Sequence, residues 1–68
     1  MYLAIVEMNG EVVFVKGCDS YDDTIDTLID TLSLDSLDAM RLRDTGSILA
    51  ESVPNKAVWC YVDYTFCE

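Results

Sequence analysis

The dipeptide Asn9-Gly10 constrains the fold of this chain more than any other feature. It separates two runs that are rich in β-branched and aromatic residues, residues 2–8 and 11–16. A two-residue hairpin loop of type I′ needs positive φ at both central positions, and Asn and Gly adopt positive φ at little cost. The sequence therefore predicts an antiparallel β-hairpin at the start of the domain.

A first helix is predicted to begin near Tyr21. Ser20, followed three positions later by Asp23, approximates a capping box with Asp in place of the usual Glu. On a helical wheel of about 100° per residue, the segment separates into three faces. The face predicted to pack on the sheet holds Tyr21, Ile25, Leu28, Ile29 and Leu32; the acidic face holds Asp22, Asp23, Asp26 and Asp30; and the third face holds Thr24, Thr27 and Thr31.

Residues 36–44 are predicted to form a second, shorter helix. Ser36 is the expected N-cap, and Gly46 supplies a left-handed stop. The alternation of Met40 and Leu42 with two arginines also allows a strand. We favour the helix because cap chemistry outweighs a short alternation, and the strand remains the alternative.

Residues 47–53 and 57–67 are predicted to form strands around a turn at residues 54–56. The expected fold is one α+β domain spanning residues 1–68, a two-layer sandwich. Its antiparallel sheet of about four strands carries one or two helices on one face. The element order is ββααββ, or ββαβββ if residues 36–44 form a strand.

The charge of the chain is concentrated in one segment. Thirteen acidic residues against four basic ones give a formal net charge of −9, which argues against direct binding to nucleic acid or to anionic membranes. The absence of a long apolar run and of a basic, apolar start predicts a cytoplasmic protein. The segment between Asp19 and Asp38 contains no Lys or Arg, and its aspartates are the predicted partner-binding residues: Asp19, Asp22, Asp23, Asp26, Asp30, Asp35 and Asp38.

Catalytic chemistry is not expected. The chain has no His, and its three cysteines have no C-x-x-C spacing that would favour a zinc site. Asp44-Thr45-Gly46 matches the aspartic protease signature, but the preceding Arg43 stands where that family has an apolar strand, and a turn or helix end is the favoured interpretation. The EF-hand pattern is absent. We therefore expect no enzyme activity, no cofactor and no metal.

In size, acidity, cytoplasmic character and an Asp-lined helix on a sheet, the chain resembles the small phage-encoded inhibitors of bacterial defence. These are the anti-CRISPR and anti-restriction proteins, several of which mimic DNA. Asp22, Asp26 and Asp30 rise about 6 Å apart along a helix, against about 3.4 Å per nucleotide of one DNA strand. The resemblance implies a partner with a basic nucleic-acid-binding surface, a nuclease or CRISPR effector subunit, bound without chemistry in the host cell cytoplasm.

Three alternatives stay open. The same acidic face is suited to an immunity or antitoxin-like protein that neutralises a basic toxin, and it also fits a merely solvated helix surface. The last strand suggests an oligomeric or interaction module. If Val58, Cys60, Val62, Tyr64 and Phe66 face the helices, then Trp59, Tyr61 and Thr65 face outward. Trp59 and Tyr61 are thus a possible second interface, and the chain is expected to be a monomer or a homodimer.

Overall fold

A computed structural model describes residues 1–50 and 57–64 of the chain. The order ββααββ is confirmed, and residues 36–45 form a helix rather than a strand. The predicted turn at residues 54–56 and the strand ends at residues 51–53 and 65–67 lie outside the described residues. The elements are β1 (Tyr2–Met8), β2 (Glu11–Cys18), α1 (Tyr21–Leu32), α2 (Ser36–Thr45), β3 (Ser47–Leu49) and β4 (Val58–Tyr64).

The four strands form one sheet in the order β2-β1-β4-β3, and all neighbouring pairs are antiparallel. The hairpin turn is confirmed, with φ of 53° at Asn9 and 85° at Gly10. The register of β1 against β2 shifts between Val6 and Glu7, which leaves Val13 as the extra residue of a β-bulge. Among the described residues, β2 and β3 form the two edges of the sheet.

Helix α1 begins at Tyr21 as predicted. The Ser20 hydroxyl accepts a hydrogen bond from the Asp23 N–H at 3.1 Å, and Ser33 ends the helix in the left-handed conformation at φ 51°. Ile25 and Leu28 are fully buried against the sheet. On the predicted threonine face, Thr24 is fully buried and donates its hydroxyl proton to the Ser20 carbonyl at 2.7 Å.

Helix α2 is capped differently from the prediction. The N-cap is Asp35, whose carboxylate accepts from the Asp38 N–H at 2.9 Å, and Ser36 is the first helical residue. Gly46 provides the expected left-handed stop at φ 77°. Asp44-Thr45-Gly46 is thus a helix end, as the favoured interpretation of this motif predicted.

Both helices cover the same face of the sheet, and the core lies between the two layers. The register of β1 against β4 explains why buried and exposed residues alternate along both strands. Val6 pairs with Cys60 on the face that the helices cover, and Ile5 pairs with Tyr61 on the opposite face. The buried core consists of Ala4, Val6, Cys18, Ile25, Leu28, Leu42, Ile48, Ala50, Val58 and Cys60.

Candidate partner-binding site on helix α1

The acidic face of α1 is exposed to solvent. Its position follows from the core face, because Ile25 and Leu28 anchor the helix on the sheet and turn the opposite side outward. The two aspartates of the first turn also lie where the helix dipole favours negative charge. The four exposed aspartates are Asp22, Asp23, Asp26 and Asp30.

One of these four carboxylates has a basic partner that the sequence pattern did not indicate. Arg43, near the end of α2, donates a hydrogen bond to Asp26 at 2.9 Å, and both side chains are more than half exposed. Such an exposed pair contributes about 0–1 kcal/mol. The expectation of a wholly unpaired cluster is therefore wrong at Asp26. Within residues 1–50 and 57–64, no ion pair involves Asp22, Asp23 or Asp30.

An open groove of about 380 Å³ runs between α1 and the end of β2. The Cys18 sulfur lies 3.7 Å from the Thr27 hydroxyl at its base. The groove brings Asp19, on the short link between the two elements, beside the acidic face of α1. Its lining residues are Lys16, Gly17, Cys18, Asp19, Asp23, Asp26, Thr27 and Asp30.

Sequence reasoning missed Lys16 as a member of this site. Lys16 pairs with Ala4, a core residue, so it lies on the helix-covered side of the edge strand β2. The signal was present in the hairpin register, since Lys16 and Cys18 alternate with outward-facing residues on β2. The site is consequently a carboxylate surface with one ammonium group at its rim, and not a purely anionic row.

Asp38 does not belong to the exposed surface. Asp38 is only 1 % exposed. Its buried carboxylate lies 3.5 Å from the Arg41 guanidinium. The reason is that α2 turns Asp38 and Leu42, one helical turn apart, toward the interior. Burial raises the pKa of the Cys60 thiol to about 11, and the negative charge of Asp38 adds to this increase. The prediction that Asp38 is available to a partner is therefore wrong.

Asp35 is exposed, but it has a structural role as the N-cap of α2. Its carboxylate is already engaged with the Asp38 N–H. Asp35 also belongs to a different helix from the main acidic face. The structure thus brings together five of the seven predicted aspartates: Asp19, Asp22, Asp23, Asp26 and Asp30.

The predicted second interface lies on the opposite side of the sheet. Trp59 is 47 % exposed there, and Tyr61 is half-buried. A hydrogen bond to Glu7 is the main cause that raises the pKa of Tyr61, followed by burial and the charges of Glu7 and Asp63. The outward orientation of Trp59 and Tyr61 is as predicted, whereas Thr65 and Phe66 lie outside the described residues.

In the described part of the chain, no group of three or more His, Cys, Asp or Glu side chains is arranged to hold a metal ion. Neither α1 nor α2 is long and apolar enough to cross a membrane. Comparison with protein-family models, with curated proteins and with solved structures gives no significant match.

Proposed function

We propose that this protein is a non-enzymatic inhibitor that binds the basic nucleic-acid-binding surface of a nuclease or CRISPR effector by DNA mimicry. The observation that carries the proposal is the cluster of exposed carboxylates on α1 and the adjoining end of β2. The cluster comprises Asp19, Asp22, Asp23, Asp26 and Asp30.

The spacing of these charges supports a nucleic acid strand as the imitated ligand. The twelve residues of α1 extend about 18 Å at 1.5 Å per residue. The four aspartates of α1 lie between Asp22 and Asp30, over about 12 Å of the helix axis. Asp22, Asp26 and Asp30 rise about 6 Å apart, which corresponds to roughly every second phosphate of one DNA strand at about 3.4 Å per nucleotide. The surface therefore matches alternate phosphates of one strand.

The rigidity of α1 supports tight recognition. The helix is capped at both ends, by Ser20 and by the left-handed Ser33, and its inner face is anchored by Ile25 and Leu28. The carboxylates are therefore held in place before binding, and little backbone entropy is lost when a basic groove closes on them. Aspartate adds to this order, because its short side chain has fewer rotamers to lose than glutamate.

The test uses two variants with the same change in net charge. Replacing three site carboxylates by amides should abolish competition with DNA, because the target's basic groups lose their counter-charges. Replacing three exposed carboxylates elsewhere should leave competition intact. The site variant is D22N/D23N/D30N, and the matched control is E11Q/D44N/D63N.

The measurement is displacement of labelled single-stranded or duplex DNA from a panel of purified bacterial nucleases and CRISPR effectors. The proposal predicts that the wild type displaces DNA from at least one of them and that the site variant does not. Equal displacement by the site variant would reject the acidic face as the binding surface. Inhibition of a nuclease without displacement of its DNA would favour the immunity-protein alternative over DNA mimicry.

A further inference from the structure

The helix-free face of the sheet is largely apolar and only partly covered. Across the strands, one row consists of Val15, Ile5, Tyr61 and Ser47, and the next consists of Val12, Glu7, Trp59 and Leu49. Ile5 is buried by its neighbours, whereas the outer members remain open to solvent. Their exposed fractions are 55 % for Val12, 55 % for Val15, 43 % for Leu49 and 47 % for Trp59. An exposed face on which apolar side chains outnumber polar ones in this way is typical of an interaction site.

Charge on this face is sparse. Among the described residues, the face carries two acids, Glu7 and Asp63, which pair with Trp59 and Leu3 respectively. Glu7 lies in the row next to Tyr61, and its interaction with the Tyr61 hydroxyl is the main cause that raises the pKa of that tyrosine. Asp63 lies near the end of β4, at the rim. The face thus offers no cluster of charge for a basic or an acidic partner to recognise.

The distribution of charge over the whole molecule favours a second copy as the occupant. The exposed aspartates of α1 lie on the other side of the sheet, so packing two sheets back to back leaves both acidic helices on the outside. With about 10 Å per packed layer, the two helix layers are roughly 30 Å apart. This separation exceeds the screening length of about 8 Å at physiological ionic strength, so the charge of the two acidic helices opposes such a dimer only weakly.

Pairing through the open edge of β2 is a less favourable way to dimerise. The groove lined by Asp19, Asp23 and Asp30 lies against that strand. Edge-to-edge pairing would therefore bring the acidic grooves of two copies side by side. The bulge at Val13 also interrupts the regular hydrogen-bonding edge. Face packing avoids both difficulties.

The size of the face is sufficient for a weak dimer. The sheet has three strands of about seven residues and the shorter β3, which together cover a flat area of roughly 400 Å². The accessible surface is larger than this flat area because the side chains project from the sheet. A pair of copies then buries on the order of 1,000 Å², at the low end of specific interfaces. From this geometry we infer that the chain forms a back-to-back homodimer through the helix-free sheet face, centred on Ile5, Trp59 and Tyr61.

The test measures the mass of the intact chain by sedimentation equilibrium from low micromolar to near-millimolar concentration. The mass should rise from the 7.6 kDa of one chain toward twice that value. Trp59 is the only tryptophan, so its fluorescence emission should shift to shorter wavelength over the same range as the indole leaves water. W59K should weaken dimerisation by more than about tenfold, as expected for a central aromatic anchor.

The matched control is M40K, which introduces the same charge at a 63 % exposed apolar residue of α2. It should dimerise like the wild type. V15K is a second face variant that retains Trp59 as the fluorescent reporter, and circular dichroism confirms that each variant is folded. A mass of one chain at every concentration would overturn the inference, even if another protein were found on this face. Equal dimerisation by the wild type and both face variants would also overturn it.

Discussion

Cys60 is the buried residue whose chemistry has the clearest consequence for stability. It is fully buried between β4 and the helices, and burial, followed by the charge of Asp38, raises the pKa of its thiol from 9.0 to about 11. Below pH 9 the thiol is protonated in the folded and unfolded chains alike. Between pH 9 and about 11 the unfolded chain loses the proton while the folded chain retains it, so unfolding is favoured as the pH rises.

This difference makes the stability of the protein depend on pH. The free energy of unfolding of the wild type should fall between pH 9 and 11, and Cys60 should contribute up to about 2–3 kcal/mol of that fall. C60A is less stable at every pH because a cavity is created, but its stability should fall less steeply over this window. Urea unfolding of both proteins at pH 8, 10 and 11 measures the two slopes. Parallel curves would show that Cys60 does not retain its proton.

Individual carboxylates of the aspartate-rich segment serve different purposes, and net charge does not distinguish them. Asp38 is buried, Asp35 caps a helix, Asp26 is paired with Arg43, and Asp22 is exposed. A sequence pattern predicts which side chains of a helix are exposed only where the helix has a clear apolar face. This condition holds for α1 and fails for α2.

At the scale of the elements, the sequence predicted the hairpin and α1 well because each has a strong local signal. Asn9-Gly10 determines the turn, and Ser20 with the apolar stripe determines α1. In α2 the signal is weak, since Leu37 and Met40 are exposed while Asp38 is buried. The inward face of α2 is set by packing against the sheet, which a sequence pattern of ten residues does not reveal.

The contacts that complete the candidate site are also non-local. Arg43 reaches Asp26 across seventeen positions of sequence, and Lys16 reaches the groove because β2 pairs in a particular register with β1. Such contacts depend on the relative placement of whole elements. The acidic face was therefore predictable from the local sequence pattern and Lys16 from the register of the hairpin, whereas the contact of Arg43 was not predictable.

The cap of α2 gives a prediction at the scale of a helix. D35A should destabilise the protein by about 1 kcal/mol, because the Asp38 N–H loses its acceptor. S36A should have an effect near zero, since an exposed first-turn serine is replaced by a better helix former. D35N is the control, because asparagine retains a capping oxygen without the charge. Thermal or urea unfolding measures all three, and a larger loss in S36A than in D35A would restore Ser36 as the cap.

For the whole molecule, the sheet separates two surfaces of opposite character. The α1 side carries exposed carboxylates, and the other side carries Trp59 among apolar neighbours. In a back-to-back dimer, the acidic helices point in opposite directions. Such an assembly presents two copies of the same anionic surface about 30 Å apart, so one dimer is able to engage two basic partners without contact between them.

The last prediction concerns the salt dependence of association with a basic target identified by the DNA-displacement panel. Exposed charges attract a partner over a distance set by the Debye length. This length is about 8 Å at 0.15 M ionic strength and about 3 Å at 1 M. The association rate should therefore fall steeply from low to physiological salt, while the dissociation rate changes less. Because Asp22, Asp23 and Asp30 are exposed, D22N/D23N/D30N should lose most of this dependence, whereas E11Q/D44N/D63N, with the same net charge, should retain it. Stopped-flow kinetics over a salt series measures each slope. A wild-type association rate that does not change with salt would remove the acidic face from the encounter and transfer the interaction to the apolar side of the sheet.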